Sequence, residues 1–331
     1  MKFDVTLFID DLKNTPDTAK NIEELGFDAL WVPEAAHNPY MALALAGYAT
    51  TRIKLGTAIA VAFASSPTVT AYEAWDLARL TDGRFILGLG PQIKAHIKRR
   101  FGMPWGNPGS RMREYIGAIR AVWNTFQNNE PLNYRGEFYQ LTWMNPFFQP
   151  PPLEHPHIPI YIAAVGPYMC RLVGEVCDGM HVHSFHTVDY LKNVVLPKIE
   201  EGLAISGRTR ADLSLNTAVF AASNDEEKLL ARQQISFYAS TPAYRGVLEQ
   251  HGWGDLQDRL TKMTREGKWQ EMYTEISDEM LNTIAVIAPP DELGAALRER
   301  YEGLLDRVGF YLPFVPGERD DFWKMSIQAF H

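Results

Sequence analysis

The chain has 331 residues, 46% of them hydrophobic and 22% charged, and its 32 Lys+Arg against 40 Asp+Glu leave a net charge of −8. This is an ordinary globular composition on a length that excludes a peptide-sized scaffold. The acidic balance speaks against sequence-independent nucleic-acid binding, and two cysteines, Cys170 and Cys177, exclude a disulfide framework.

Phe3 to Ile9 is an apolar run, followed by Thr15-Pro16-Asp17, an amphipathic stretch closing at Leu25-Gly26, and a second run from Phe27 to Val32. Thr15 reads as an N-cap, Pro16 as the first helical residue and Gly26 as the stop, which makes a strand, helix, strand unit. Met1 to Asp10 carries no signal-peptide core, and no stretch reaches about 18 uninterrupted apolar residues, so a cytoplasmic protein with no membrane partner is expected. Further strands are expected at Ile53 to Ile59, Phe85 to Leu89, Ile160 to Val165, Gly179 to His183, Leu213 to Ala221 and Val308 to Leu312. Helix-length segments lie between them: Thr68 to Leu80, Ser110 to Phe126, Tyr168 to Val176, Val188 to Ile205 and Asp225 to Tyr238. Strands that read as continuous apolar runs and alternate with helices imply a covered parallel sheet, and eight of them imply an α/β fold of the closed (β/α)8 TIM-barrel type. Residues 1–331 then form a single barrel domain. Two stretches depart from the repeat: 132–143, with Arg135-Gly136 at its centre, reads as a hairpin inserted after strand four, and about 240–282 as a helical insertion after strand seven. Both are expected to wall the mouth of the barrel.

Chemistry in this fold sits at the C-terminal strand ends. Strand two ends in Trp31-Val32-Pro33-Glu34-Ala35-Ala36-His37, and strand three runs through Gly56-Thr57-Ala58-Ile59 toward Ser66-Pro67. Strand four ends in Gly88-Leu89-Gly90-Pro91-Gln92, and strand five in Ala163-Ala164-Val165-Gly166-Pro167-Tyr168-Met169. In this order the landmarks resemble those of the bacterial-luciferase-like superfamily of flavin and deazaflavin oxidoreductases. The nearer likeness is to the branch using the deazaflavin coenzyme F-420, which includes glucose-6-phosphate dehydrogenases and methylenetetrahydromethanopterin reductases.

The resemblance covers essentially the whole chain and implies a cofactor site. Glu34 would lie beside the deazaflavin ring, and a non-proline cis peptide would fall between Ala58 and Ile59 and back the ring. Gly90, Pro91 and Gln92 would border it, with Ile93 and His96 nearby. Ala164, Val165, Gly166, Pro167, Tyr168 and Met169 would hold the coenzyme phosphate, which agrees with the anion affinity of a helix start. Some members carry His directly after the strand-two acid and others Glu in the strand-four turn, where this chain has Ala35 and Gln92 with Ile93. His37, two residues further along that loop, is therefore the first candidate for proton transfer and Glu34 the second; Asp10 or Asp11 could also serve.

Other candidates are read from the residues alone. His181 and His183 share a strand face and His186 follows, but no Asp, Glu or Cys stands at a further ligand spacing, so no metal is assigned. His183, Phe63, Phe185 and Asp10 are taken as substrate-pocket residues. Cys170 and Cys177 read as buried free thiols. Lys94, Lys98, Arg99 and Arg100 form a basic run that could attract the coenzyme's anionic tail. The expected activity is hydride transfer between coenzyme F-420 and a small organic substrate. The alternatives are an FMN-dependent monooxygenase and a non-catalytic coenzyme-binding protein. A homodimer is common in the family the chain resembles.

Overall fold

The computed structural model describes all residues from Met1 to His331. Eight parallel strands close on themselves: β1 (Lys2–Thr6), β2 (Ala29–Val32), β3 (Lys54–Thr57), β4 (Phe85–Gly90), β5 (Ile160–Ala163), β6 (Gly179–His181), β7 (Ser214–Val219) and β8 (Arg307–Phe310). Each pairs with its sequence neighbour, and β8 returns to β1 with Phe3 beside Val308. All eight expected strands are present and the (β/α)8 barrel is confirmed. Several are shorter at their C-terminal ends than the apolar runs. Those extra residues, such as Phe8, Ala58, Ile59 and Val182, leave the ladder and line the mouth.

The covering helices are α1 (Thr15–Leu25), α2 (Pro39–Ala49), α3 (Pro67–Leu80), α4 (Pro108–Asn128), α5 (Pro167–Val176), α6 (Leu196–Ser206), α7 (Asp225–Ala239), α8 (Leu293–Tyr301) and α9 (Asp320–Gln328). The first is capped differently from the expectation. A short turn at Leu12–Asn14 makes Asn14 the cap and places Thr15 inside the helix. A core of 67 buried residues fills the space between strands and helices, and the insertion after β7 has its own core of 14. The barrel interior holds a separate cluster of Ala29, Trp31, Ile86 and Tyr161. It is plugged by a polar knot: Arg307 grips Asp4 through two bonds of 2.7 Å, and Trp31 Nε1 donates to the same carboxylate at 2.8 Å.

The two insertions behave differently. The hairpin forms, with Tyr134 opposite Leu141, but it follows α4 rather than the end of strand four. It packs along α4, where Glu114 accepts the Glu137 and Phe138 N–H groups, and none of its residues lines the cavity. The helical insertion does form a wall: α7 and the segments after it reach back to a short strand, Val286–Ile287, paired with Ala221–Ala222. No helix is long and apolar enough to cross a membrane.

Candidate active site

A cavity of about 450 Å³ opens at the C-terminal end of the barrel. Its lining divides by origin. From β1 to β5 come Phe8, Pro33, Glu34, Ala58, Ile59, Gln92 and Ala163; from β6 onward come His183, Ser184, Tyr238 and Tyr311.

The first wall is set by the backbone. The Ala58–Ile59 peptide bond is cis, as the resemblance implies. Just beyond it, the Val61 N–H donates to Glu34 Oε2 at 2.7 Å, and the Glu34 N–H donates to Ile59 O at 3.0 Å. The strand-two acid is thereby fixed against the bulge after β3. Gln92 ends the strand-four turn in the left-handed region at φ 58°, and its Oε1 accepts the Ile93 N–H at 2.9 Å. Gly90 lies beneath, where a Cβ would meet the Ile59 side chain at 2.7 Å.

The floor is polar. Burial lowers the His181 imidazole to about 4, so it is neutral, and its ring stands edge-on to Trp31 at 4.9 Å. His181 Nε2 and Asn216 Oδ1 are both buried without a hydrogen-bond partner. Buried polar atoms are normally paired, so this floor is suited to a polar ligand group or a water. Gly88 lets Thr57 and His181 pack directly on the strand backbone: a Cβ there would come within 1.8 Å of Thr57 O and 2.4 Å of His181 Nε2.

The second wall is aromatic. His183 stacks on Tyr244 with ring centroids 4.3 Å apart, and meets Tyr238 edge-on at 4.7 Å. Tyr238 Oη lies 3.0 Å from Tyr311 Oη. Beside this wall, Ala164, Val165 and Gly166 line a small adjoining pocket with Cys170 and Phe185. Gly166 has φ 83°, a conformation open mainly to glycine, and a Cβ there would meet nothing within 4 Å. Helix α5 starts at the next residue without a side-chain cap, which leaves the Tyr168 and Met169 N–H groups without a hydrogen-bond partner. This arrangement fits an anionic group such as a phosphate.

Several sequence candidates lie elsewhere. His37 Nε2 is 3.2 Å from the Asp10 carbonyl oxygen and neither residue lines the cavity; Asp10 and Asp11 belong to a separate cleft with Asn14 and Phe314. Phe63 is buried between Trp105 and Tyr115 under the Arg111 guanidinium, which makes it core rather than substrate contact. Phe185 is likewise buried, within the core of the insertion. His96 is exposed on the short helix Lys94–Arg99. Lys94, Lys98 and Arg99 line a shallow basic depression there, whereas Arg100 is engaged with Ala35 O at 2.9 Å. His186 Nδ1–H donates to His183 O at 2.8 Å, and Nε2 of the neutral ring accepts the Tyr301 hydroxyl at 2.9 Å, a structural role. Burial pushes the Cys170 and Cys177 thiols up to about 12, so both are inert. Tyr311 joins the lining from one residue past β8, a strand-end position that the strand-end rule marks out.

A family model described as luciferase-like monooxygenase matches residues 4–307. An uncharacterised protein of Mycobacterium tuberculosis is 46% identical over 325 residues, covering 96% of this chain and 95% of that protein. The 5,10-methylenetetrahydromethanopterin reductase of Archaeoglobus fulgidus is 28% identical over 343 residues, covering 99% and 97%. Among solved structures, the coenzyme F-420-dependent tetrahydromethanopterin reductase of Methanopyrus kandleri has the same fold. The TM-score is 0.80 at 21% identity, over 99% of this chain and 97% of that one.

Proposed function

The chain belongs to the luciferase-like monooxygenase family, and from that premise we propose that it is an oxidoreductase using the deazaflavin coenzyme F-420 to exchange a hydride with a small organic substrate. One observation carries the reading: the cavity is lined by Ala58, Ile59 and Gln92 together with the Glu34 carboxylate, and an uncapped helix start lies in the pocket beside it. Such a frame suits a planar ring joined to a phosphate.

The bound deazaflavin would supply the hydride chemistry at its C5 carbon. The residues of the chain do the rest. Ile59, Gln92 and Ala163 orient the ring, and Gly166, Tyr168 and Met169 offer backbone N–H groups to the phosphate. Phe8, Pro33 and the aromatic wall exclude water. Glu34, which lines the cavity, takes the role of exchanging a proton with the substrate, in preference to His37, which does not line it. The basic depression at Lys94, Lys98 and Arg99 supplies attraction for an anionic tail. A homodimer completes the proposal, because α2 leaves Met41, Leu45 and Tyr48 exposed along one side; light scattering of the purified protein reads its mass directly.

The test is a comparison of affinities. Coenzyme F-420 should bind well below FMN in dissociation constant. Tight FMN binding without F-420 binding would support an FMN-dependent monooxygenase instead. Binding of F-420 with no turnover across a broad panel of enones, imines and alcohols would favour a coenzyme-binding protein.

A further inference from the structure

The charge of the cavity lining narrows the substrate. No lysine or arginine is among its lining residues, and its two carboxylates are Asp4 and Glu34. Asp4 is fully engaged by Arg307 and Trp31, which leaves Glu34 as the cavity's charge. An anionic substrate group would be desolvated beside a carboxylate with no cation to meet it, an arrangement that costs heavily.

The aromatic wall offers neutral donors instead. The Phe185 N–H donates to His183 Nδ1 at 3.0 Å, so Nδ1 carries the lone pair and the proton of the neutral ring sits on Nε2. Burial holds that ring neutral, with its pKa lowered to about 4. Tyr244 and Tyr238 fix its orientation from two sides. In the Tyr238–Tyr311 pair one hydroxyl proton is spent between the two oxygens and the other is left over. Burial raises the Tyr238 phenol well above its usual range, so it stays an O–H group.

We propose that this wall is the substrate's half of the cavity, and that it takes an uncharged carbonyl compound, or the corresponding alcohol, whose oxygen accepts from the His183 Nε2–H beside the Tyr238–Tyr311 pair. The apolar body of the substrate lies against Tyr238, Tyr311 and Phe8. This deepens the oxidoreductase reading and rests on it for the reaction, but the recognition is a property of the coenzyme-free chain.

Acetophenone and benzoate are matched in shape and differ in charge. Titrated by ligand-observed NMR into the coenzyme-free protein near neutral pH, acetophenone should bind about tenfold or more tightly than benzoate, the scale of one hydrogen bond and one unpaired charge. His183→Phe keeps the ring and removes the N–H, and should weaken acetophenone by about tenfold. The double variant Tyr238→Phe with Tyr311→Phe removes both hydroxyls and with them the spare proton, should weaken it severalfold, and serves as the second test if His183→Phe does not fold. Equal binding of the two probes, no acetophenone binding at millimolar concentration, or folded variants that bind it unchanged would each overturn the proposal. Failure of F-420 to bind while the probes still discriminate would count against the coenzyme reading and leave this one standing.

Discussion

Glu34 Oε2 accepts the Val61 N–H at 2.7 Å, which ties the acid after β2 to the segment just beyond the Ala58–Ile59 bond. One side chain thus holds the cavity's ring-facing wall and supplies its charge. Replacing it separates the two jobs. Glu34→Gln keeps an acceptor for Val61, whereas Glu34→Ala leaves that N–H without one. A lost hydrogen bond to a charged acceptor is worth about 1.5–3 kcal/mol. Glu34→Ala should therefore lower the unfolding midpoint more than Glu34→Gln does, and both should slow turnover. Equal stability of the two variants would show that the bond to Val61 contributes little.

Behind this wall, Glu73 on α3 faces Glu34, and burial together with the Glu34 charge pushes its carboxyl up to about 7. A raised acid favours the folded state while protonated. Its stabilising contribution is present below the unfolded value of 4.5 and lost as pH rises toward 7. Glu73→Gln should accordingly raise the melting temperature at pH 8 and leave it unchanged near pH 4.5. The gain is modest because Glu73 is only half buried.

The buried histidines act in the opposite sense. Burial lowers His181, His183 and His186 to about 4 each. As pH falls from the ordinary value of 6.5 toward 4, the unfolded chain takes up protons that the folded chain refuses, and stability declines. Each site contributes up to about 1.4 kcal/mol per pH unit in that window. Urea melts between pH 7 and 4 should show a steep fall, and a flat profile would contradict the neutral, buried assignment.

The knot at Asp4 and Arg307 predicts a non-additive pair. Asp4→Ala strands a buried guanidinium and should cost about 3–5 kcal/mol. The double variant with Arg307→Leu should recover much of that loss, because an apolar replacement of both charges removes the unpaired one. Denaturant midpoints of the three variants measure the difference.

Reversing the charges of Lys98 and Arg99 should weaken F-420 binding at low salt and have little effect at high salt, since these side chains are exposed. Arg100 is a poor choice for this test because it braces Ala35. Unchanged affinity at low salt would assign the basic run to solvent.

Most of the barrel is legible in the sequence because its strands are buried on both sides and read as unbroken apolar runs, as Phe85 to Leu89 does. The strand-end residues Glu34, Gln92 and His183 are legible for the same reason: the fold fixes where each run stops. Residues whose placement depends on the path of a loop are harder to read. His37 lies three residues past Glu34, yet its ring turns to the Asp10 carbonyl. Phe63 sits inside a short turn at Ala62–Ala64 that buries its ring against α4. The hairpin at 134–141 has the strand and turn pattern of an insertion, but only the course of α4 shows that it packs there and not on the cavity.

The most direct test of the account is a crystal structure with bound coenzyme F-420. The account predicts the phosphate at the N–H groups of Tyr168 and Met169, the deazaflavin ring between Ile59 and Gln92, and open space against His183 and Tyr311. A ring stacked on His183 and Tyr238, or a phosphate away from the start of α5, would contradict it.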